Sequence, residues 1–314
     1  MVHQLLEIRL LGPVEIKFEG KIININRRIE RAILYILAIE HKPVSRERLI
    51  DLIWPEADQT DPRAALRTAL SRLRNELPDK DLIQTELDMV FLDPDRCYID
   101  LLEFENQTEH LQNILATYQN TQTLPATIVN QIANTLDIWH GDNLISGENL
   151  SYYQEIDNFR KFHNLKPNHQ RQFLLERLAS HYQTTGNLEK ALTTYYKLLR
   201  VDSADISSQS AILDILIKLG RHQDAISFCD SLEEIYETEF NAPLPDEIIR
   251  RCQYSQSQMN TLQLEDRDEW PTPPQIQLEL IGRQFELIQL HQAFQKGGLV
   301  SIQGEMGSGK TRVA

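Results

Sequence analysis

Apolar and polar residues alternate along the first 25 positions. Leu6, Ile8 and Leu10 form one run, Val14, Ile16 and Phe18 a second, and Ile23 and Ile25 a third, with Gly12-Pro13 and Glu19-Gly20 between them. Period-two alternation broken by turn dipeptides predicts a small antiparallel sheet with one buried face. At Arg28 the period changes, and Ile29, Ala32, Ile33, Ile36 and Leu37 follow helical spacing as far as Glu40. Ser45 offers an N-cap to a second helix that packs Leu49, Leu52 and Ile53 and stops at Trp54-Pro55. Asp61, with Pro62 at the first helical position, starts a third helix reaching about Leu77. Extended runs over residues 82–85 and 90–92 follow, and Asp93-Pro94-Asp95 turns the chain. The order is sheet, three helices, hairpin.

Residues 104–254 read as helix throughout and contain a repeat. Gly186-Asn187-Leu188-Glu189-Lys190-Ala191 recurs as Gly220-Arg221-His222-Gln223-Asp224-Ala225, and Leu198 with Leu232 keeps the same 34-residue register. A 34-residue period with Gly at the inter-helix turn and Ala where helices touch is the tetratricopeptide signature. The Gly would end the first helix of each pair in a left-handed conformation. Helices over 124–139 and 152–162 would cap the two repeats. Such a solenoid suits packing and partner binding better than chemistry. From Ser255 to Glu279 the helical pattern fails: Ser, Gln, Asp and Glu dominate, and Pro271, Pro273 and Pro274 cluster, which predicts a semi-extended linker.

At 314 residues, 41% hydrophobic and 25% charged, the chain suits a soluble globular protein of about two domains and a remainder. Its longest apolar run, residues 33–39, is far short of the roughly 20 residues that span a bilayer. The N-terminus shows no basic region followed by an apolar core, so a cytoplasmic location without membrane contact is expected. Cys97, Cys229 and Cys252 are too few and too scattered to predict a disulfide framework or a zinc site. His163, His169, His181 and His222 show no ligand spacing and read as surface or satisfied core residues. No Ser/His/Asp or Cys/His arrangement falls in a recognisable motif, so this chain is not expected to be an enzyme.

The net charge of −14 argues against a protein that coats nucleic acid non-specifically. Its distribution is uneven. Residues 1–103 carry −4, residues 104–260 carry −8, and the stretch from Pro62 to Asn75 holds four Arg and no acid. On a helical wheel Leu66, Ala69, Leu70, Leu73 and Leu77 share one stripe. Arg67, Thr68, Ser71, Arg72 and Asn75 lie opposite, with Arg63 and Arg74 on the flanks. A helix that buries one side and offers Arg, Ser and Thr on the other suits a DNA major groove, where Arg bonds guanine edges bidentately. The same residues also fit a solvated helix face.

Residues 5–103 resemble the winged helix-turn-helix of OmpR/PhoB-type regulators. The string Arg67-Thr68-Ala69-Leu70-Ser71-Arg72-Leu73-Arg74-Asn75-Glu76-Leu77 is similar to that family's recognition helix, and Pro43-Val44-Ser45-Arg46-Glu47-Arg48-Leu49-Ile50 with Trp54 to its supporting helix. The resemblance implies that Arg67, Thr68, Ser71 and Arg72, with Arg63, face double-stranded DNA and that Arg74 touches its backbone. One departure concerns the wing. Thr85-Glu86-Leu87-Asp88-Met89 is acidic and lacks the usual Gly and basic residue, and phosphates would repel Glu86 and Asp88.

The helical segment resembles the bacterial transcriptional activator domain of SARP-type regulators through Trp139-His140-Gly141-Asp142-Asn143-Leu144-Ile145-Ser146-Gly147, with Asn143 where a hydrophobic residue is usual. The resemblance implies a DNA-binding activator on direct-repeat sites, with a homo-oligomer and an RNA polymerase subunit as further partners.

Near the end, the apparent strand Leu299-Val300-Ser301-Ile302-Gln303 leads into Gly304-Glu305-Met306-Gly307-Ser308-Gly309-Lys310-Thr311, a full G-x-x-x-x-G-K-[ST] match. Gly304, Gly307 and Gly309 would let backbone N–H groups curl around phosphate, Lys310 would offset its charge, and Thr311 would hold Mg²⁺. Ile281-Gly282-Arg283-Gln284-Phe285-Glu286 resembles the entry of STAND-class ATPases, which implies that Ile281, Gly282 and Arg283 lie near the nucleotide. ATP and Mg²⁺ are therefore expected for the full-length protein. With only Arg312, Val313 and Ala314 after the motif, this chain is expected to bind nucleotide weakly or not at all.

The fold class expected is mainly α with a small α+β domain. A winged helix-turn-helix (1–103) leads to a TPR-like solenoid (104–254), a linker (255–279) and the first part of an α/β P-loop domain (280–314). The leading expectation for function is a SARP-type regulator switched by ATP. The alternatives are a STAND-type ATPase whose winged helix docks protein, and a plain tetratricopeptide adaptor.

Overall fold

Strands β1 (Leu6–Arg9), β2 (Glu15–Phe18) and β3 (Lys21–Ile22) form where the alternation places them. In the computed structural model, which describes residues 5–55, 61–118, 123–148 and 154–268 with side chains as far as residue 260, β1 pairs antiparallel with β2. Leu6 lies opposite Phe18 and Ile8 opposite Ile16, so the apolar positions share a face. The chain divides into two compact units, Met1–Met259 and Asn260–Ala314, and the description below concerns the first.

Helix α1 (Arg28–Glu40) buries nearly its whole length. After it come β4 (Val44–Ser45), α2 (Arg46–Ile53) and α3 (Pro62–Glu76). Both expected caps are made: Ser45 Oγ accepts from the Arg48 N–H at 3.1 Å, and Asp61 Oδ1 from the Ala64 N–H at 3.0 Å. The hairpin of β5 (Ile83–Glu86) and β6 (Met89–Leu92) follows, and β4 adds to β6. Strand β7 (Cys97–Ile99) then returns to lie parallel to β1, giving the sheet order β3-β2-β1-β7. The alternation had shown an antiparallel sheet only.

The helical part comprises α4 (Asp100–Leu115), α5 (Ala126–Leu136), α6 (Gln154–Thr184), α7 (Leu188–Val201), α8 (Ile206–Lys218), α9 (His222–Ile235) and α10 (Asp246–Asp268). The repeat is confirmed at its turns. Gly186 (φ 76°) and Gly220 (φ 69°) are left-handed. The N–H of the next residue reaches back five positions in each, Asn187 to Tyr182 O at 2.8 Å and Arg221 to Leu216 O at 2.9 Å. Ala191 and Ala225 are fully buried.

Four expectations need correction. The helices expected over 124–139 and 152–162 have other bounds, Ala126–Leu136 and Gln154–Thr184. α5 is short, whereas α6 runs 31 residues straight through Pro167, whose packing offsets the lost helix bond. Helix continues past Ser255 to Asp268, because Ser255 is buried and Gln-rich sequence is compatible with helix. Cys229 and Cys252, 23 residues apart, form a disulfide between α9 and α10. The division at 103 also fails as a packing boundary. α4 starts at Asp100, and one apolar core runs from Leu6 through α1 and α3 to Leu198, with a second around the last repeat.

Asp100 anchors the joint between the two parts. Its buried carboxylate accepts from the Leu10 N–H at 2.7 Å and the Leu11 N–H at 3.0 Å. The Trp139–Gly147 string lies against the same strand end, with the His140 N–H bonded to Leu11 O, Ile145 to Leu10 O and Ser146 to Gly12 O. Gly12 and Gly141 meet backbone to backbone. A Cβ on Gly12 would stand 2.6 Å from the Gly141 nitrogen, and one on Gly141 2.5 Å from the Gly12 Cα. Trp139 packs edge-on to Phe104 at 5.7 Å and carries the Arg171 guanidinium 4.5 Å over its ring.

Two expectations follow from this packing. Gly12→Ala and Gly141→Ala should each cost roughly 2–4 kcal/mol in chemical denaturation. Gly20→Ala, at a left-handed backbone (φ 78°) with open space around it, should cost about 1 kcal/mol. Equal losses at all three would remove the close approach as the cause. The second concerns pH. His181 Nδ1 accepts the Leu124 N–H at 3.0 Å, and burial holds its pKa below the ordinary value, as it does for His163. The unfolded chain then binds more protons in the ordinary His range, so stability is lost as pH falls through it. The melting temperature should drop between about pH 7.5 and about pH 5.5. His181→Asn, which keeps an acceptor but does not titrate, should flatten that slope; an unchanged slope would remove His181 from the account.

Candidate nucleic-acid interface

α3 is held from below. Leu66, Ala69, Leu70 and Leu73, with Leu77 just past its end, are buried against α1 and α2, as the wheel predicts. That burial fixes which residues face out. Arg63, Arg67, Thr68, Ser71, Arg72 and Asn75 are exposed. Arg63, Arg67, Ser71 and Arg72 have no ion-pair or hydrogen-bond partner among the described residues, so their polar groups are available to a ligand. Thr68 differs. Its hydroxyl donates back to Ala64 O at 2.9 Å, so outward it offers an acceptor oxygen and a methyl group.

Arg74 is placed otherwise than the resemblance implied. Its Nε donates to Ile83 O at 3.1 Å and its Nη2 to Thr85 Oγ1 at 2.6 Å, both on β5. Partial burial lowers its pKa, with a smaller contribution from neighbouring Arg46. It is a positioning residue that ties the hairpin to α3, not an open phosphate contact. The signal in the sequence was only that Arg74 sits on the flank of the wheel.

The hairpin tip is tied to α2 as well. The Arg46 N–H donates to Asp88 O at 2.9 Å, and its guanidinium lies 3.9 Å from the Asp88 carboxylate. Glu86, Leu87 and Asp88 project beyond, exposed.

Two clefts flank α3. One, of about 480 Å³, lies between α3 and the start of α1, among Arg27, Arg28, Trp54, Thr68 and Arg72. The other, of about 780 Å³, lies toward the hairpin, among Arg46, Arg63, Arg67 and Leu87. The sequence pointed to α3, to a basic stretch over residues 27–74 that includes Arg27 and Arg28, and to Trp54 in the supporting helix; only the fold brings those three, from α1's entry and α2's exit, beside α3.

Gly304, Gly307, Gly309, Lys310 and Thr311 of the P-loop motif lie outside the described residues, as do Ile281, Gly282 and Arg283. Among the described residues there is no group of three His, Cys, Asp or Glu side chains placed to hold a metal ion, and no helix long and apolar enough to cross a membrane.

Fold and site define a winged helix-turn-helix joined through a shared core to a tetratricopeptide-like solenoid. No protein-family model matches the chain, and no curated protein matches it. Among solved structures it is similar to EmbR of Mycobacterium tuberculosis, in complex with a low-affinity phosphopeptide. The match has a TM-score of 0.56 at 15% identity and covers 84% of this chain and 71% of that one. The two chains share a fold.

Arg74→Ala should lower stability by about 1–2 kcal/mol through its two lost hydrogen bonds. It should leave the salt dependence of any DNA binding unchanged. A fall in that slope of about one would instead place Arg74 on a phosphate.

Proposed function

We propose that this chain is the DNA-reading part of a SARP-type transcription regulator. One observation carries the reading. α3 buries its leucines so that Arg63, Arg67, Thr68, Ser71 and Arg72 stand together on its outer face, with Arg27 and Arg28 beside them. A basic island of that kind in an acidic chain suits one short stretch of duplex. The arginines read guanine edges and phosphates, and Ser71 and Thr68 supply short polar contacts. Self-repulsion between the rest of the chain and DNA keeps the contact to this face. Two copies on direct repeats would gain affinity from effective concentration. An RNA polymerase subunit is the partner an activator of this type would engage.

In the longer reading the P-loop motif makes ATP with Mg²⁺ the switching ligand, through Gly304, Gly307, Gly309, Lys310 and Thr311, with Ile281, Gly282 and Arg283 alongside. The support for that is the motif itself. No catalytic role is assigned to this chain.

A second reading, in which the winged helix docks protein in a STAND-type adaptor, is favoured by the acidic tip at Glu86, Leu87 and Asp88. Selection of bound sequences from random duplexes with the 314-residue chain, followed by gel shifts over a salt series, separates the two. Arg67→Ala with Arg72→Ala should weaken the selected site by a factor on the order of 100 or more, at about 1–3 kcal/mol for each bidentate contact. A double variant that binds the selected site as the parent does would sink the assignment of α3.

A further inference from the structure

Leu87 is the least economical residue on the surface. It is fully exposed, at 101% of the reference accessibility, and its backbone is left-handed at φ 52°, a conformation that favours glycine. The β5–β6 tip thus presents a leucine at a site where a glycine would be less strained and less hydrophobic. Strain and apolar exposure at the same residue point to a contact made by that side chain. Glu86 and Asp88 flank it, so the contact is not a phosphate backbone. The tip is tied to α2, because the Arg46 N–H bonds Asp88 O and the Arg46 guanidinium faces the Asp88 carboxylate.

The complement of an apolar knob between two carboxylates is an apolar hollow with a cationic rim. This chain carries one. The cleft of about 480 Å³ between α1 and α3 has Ile29, Trp54 and Ala69 in its walls, and Arg27, Arg28 and Arg72 beside them. Arg27 lies 4.0 Å from the buried Glu30, whereas Arg72 has no ion-pair partner among the described residues and is the cation the cleft offers. The knob cannot enter the hollow of its own chain. Leu87 borders the cleft on the other side of α3, with Arg63 and Arg67.

We propose that the β5–β6 tip of one copy seats in the α1/α3 cleft of a second copy, forming a head-to-tail contact. The two surfaces differ, so the contact is heterologous and need not close into a dimer. It also covers Thr68 and Arg72. If α3 reads DNA, self-association and DNA binding then exclude one another; that consequence rests on the DNA reading, whereas the contact itself does not.

Sedimentation velocity on the 314-residue chain without DNA, from about 2 to about 200 µM, tests the contact. The sedimentation coefficient should rise with concentration, and the rise should weaken with salt. Leu87→Gly relieves the backbone and should keep or raise the melting temperature while weakening association at least tenfold. Glu86→Arg and Arg72→Glu should each weaken it, and the two combined in one chain should restore it. A chain that stays monomeric throughout, or that associates equally well as Leu87→Gly, overturns the proposal and leaves the tip to another protein. Adding the selected duplex should dissociate the assembly. If the variants behave as stated but no duplex binds, the DNA reading fails and the contact stands.

Discussion

The arrangement of the whole described unit depends on what happens at the end of β1. Asp100 opens α4 and turns its carboxylate onto the Leu10 and Leu11 N–H groups, where no strand partner is available to take them. Burial pushes that carboxyl above the usual carboxylate range, and the two N–H bonds pull it back toward the charged form. The buried carboxylate is tolerable only while both donors stay in place. Gly12 and Gly141 make that placement possible, since any side chain at either would push the two backbones apart. The Trp139–Gly147 string is therefore a docking element, and the winged helix and the solenoid share a core rather than a linker.

That sharing matters for the outer face of α3. Its leucines lie on α1, and α1 and α2 in turn pack on the chain at and before α6. Tyr35 of α1 donates to Glu148 at 3.1 Å, Arg48 of α2 bonds Glu40 of α1 at 3.2 Å and lies over Phe159 of α6, and His163 of α6 stands 4.0 Å from Glu40. A side chain on α3 is thus fixed with respect to the first helices of the solenoid. A partner that bound the solenoid would meet an outer face of α3 of set orientation, and could alter its use by blocking it more readily than by bending it.

Much of this was legible in the amino-acid order because it is periodic or local. Alternation located β1 to β3, helical spacing located α1 to α3, Ser45 and Asp61 marked their caps, and two glycines 34 residues apart marked the repeat turns. What escaped is tertiary. Cys97-Tyr98-Ile99 is too short to announce a strand, and its partner β1 lies some 90 residues earlier. Helix α6 starts only at Gln154 and carries Pro167 buried in its interior, a length that no local cap announces. Cys229 and Cys252 meet only once α10 packs back on the last repeat, with Arg251 paired to Asp214 of α8 and Ile248 buried in the second core. Arg74 has the residue type and register of a phosphate contact, and only the position of β5 shows where its guanidinium goes.

Charge, taken per chain, was the least informative feature, and taken per face it is the most. The acidic surplus lies largely on the helical segment, while α3 presents Arg63, Arg67 and Arg72 with no acid among residues 62–75, and Arg27 and Arg28 border the same cleft as Arg72. The hairpin then places acid immediately beside that cationic face. A wing built to follow DNA would extend the positive surface; this one ends it. In the proposed DNA reading, opposite charges a few residues apart would attract DNA over a short arc and repel it beyond, which would narrow the footprint. The same pairing lets two copies of the body recognise each other, so the limit on DNA contact and the means of self-contact come from a single feature, the sign of the charge at Glu86 and Asp88.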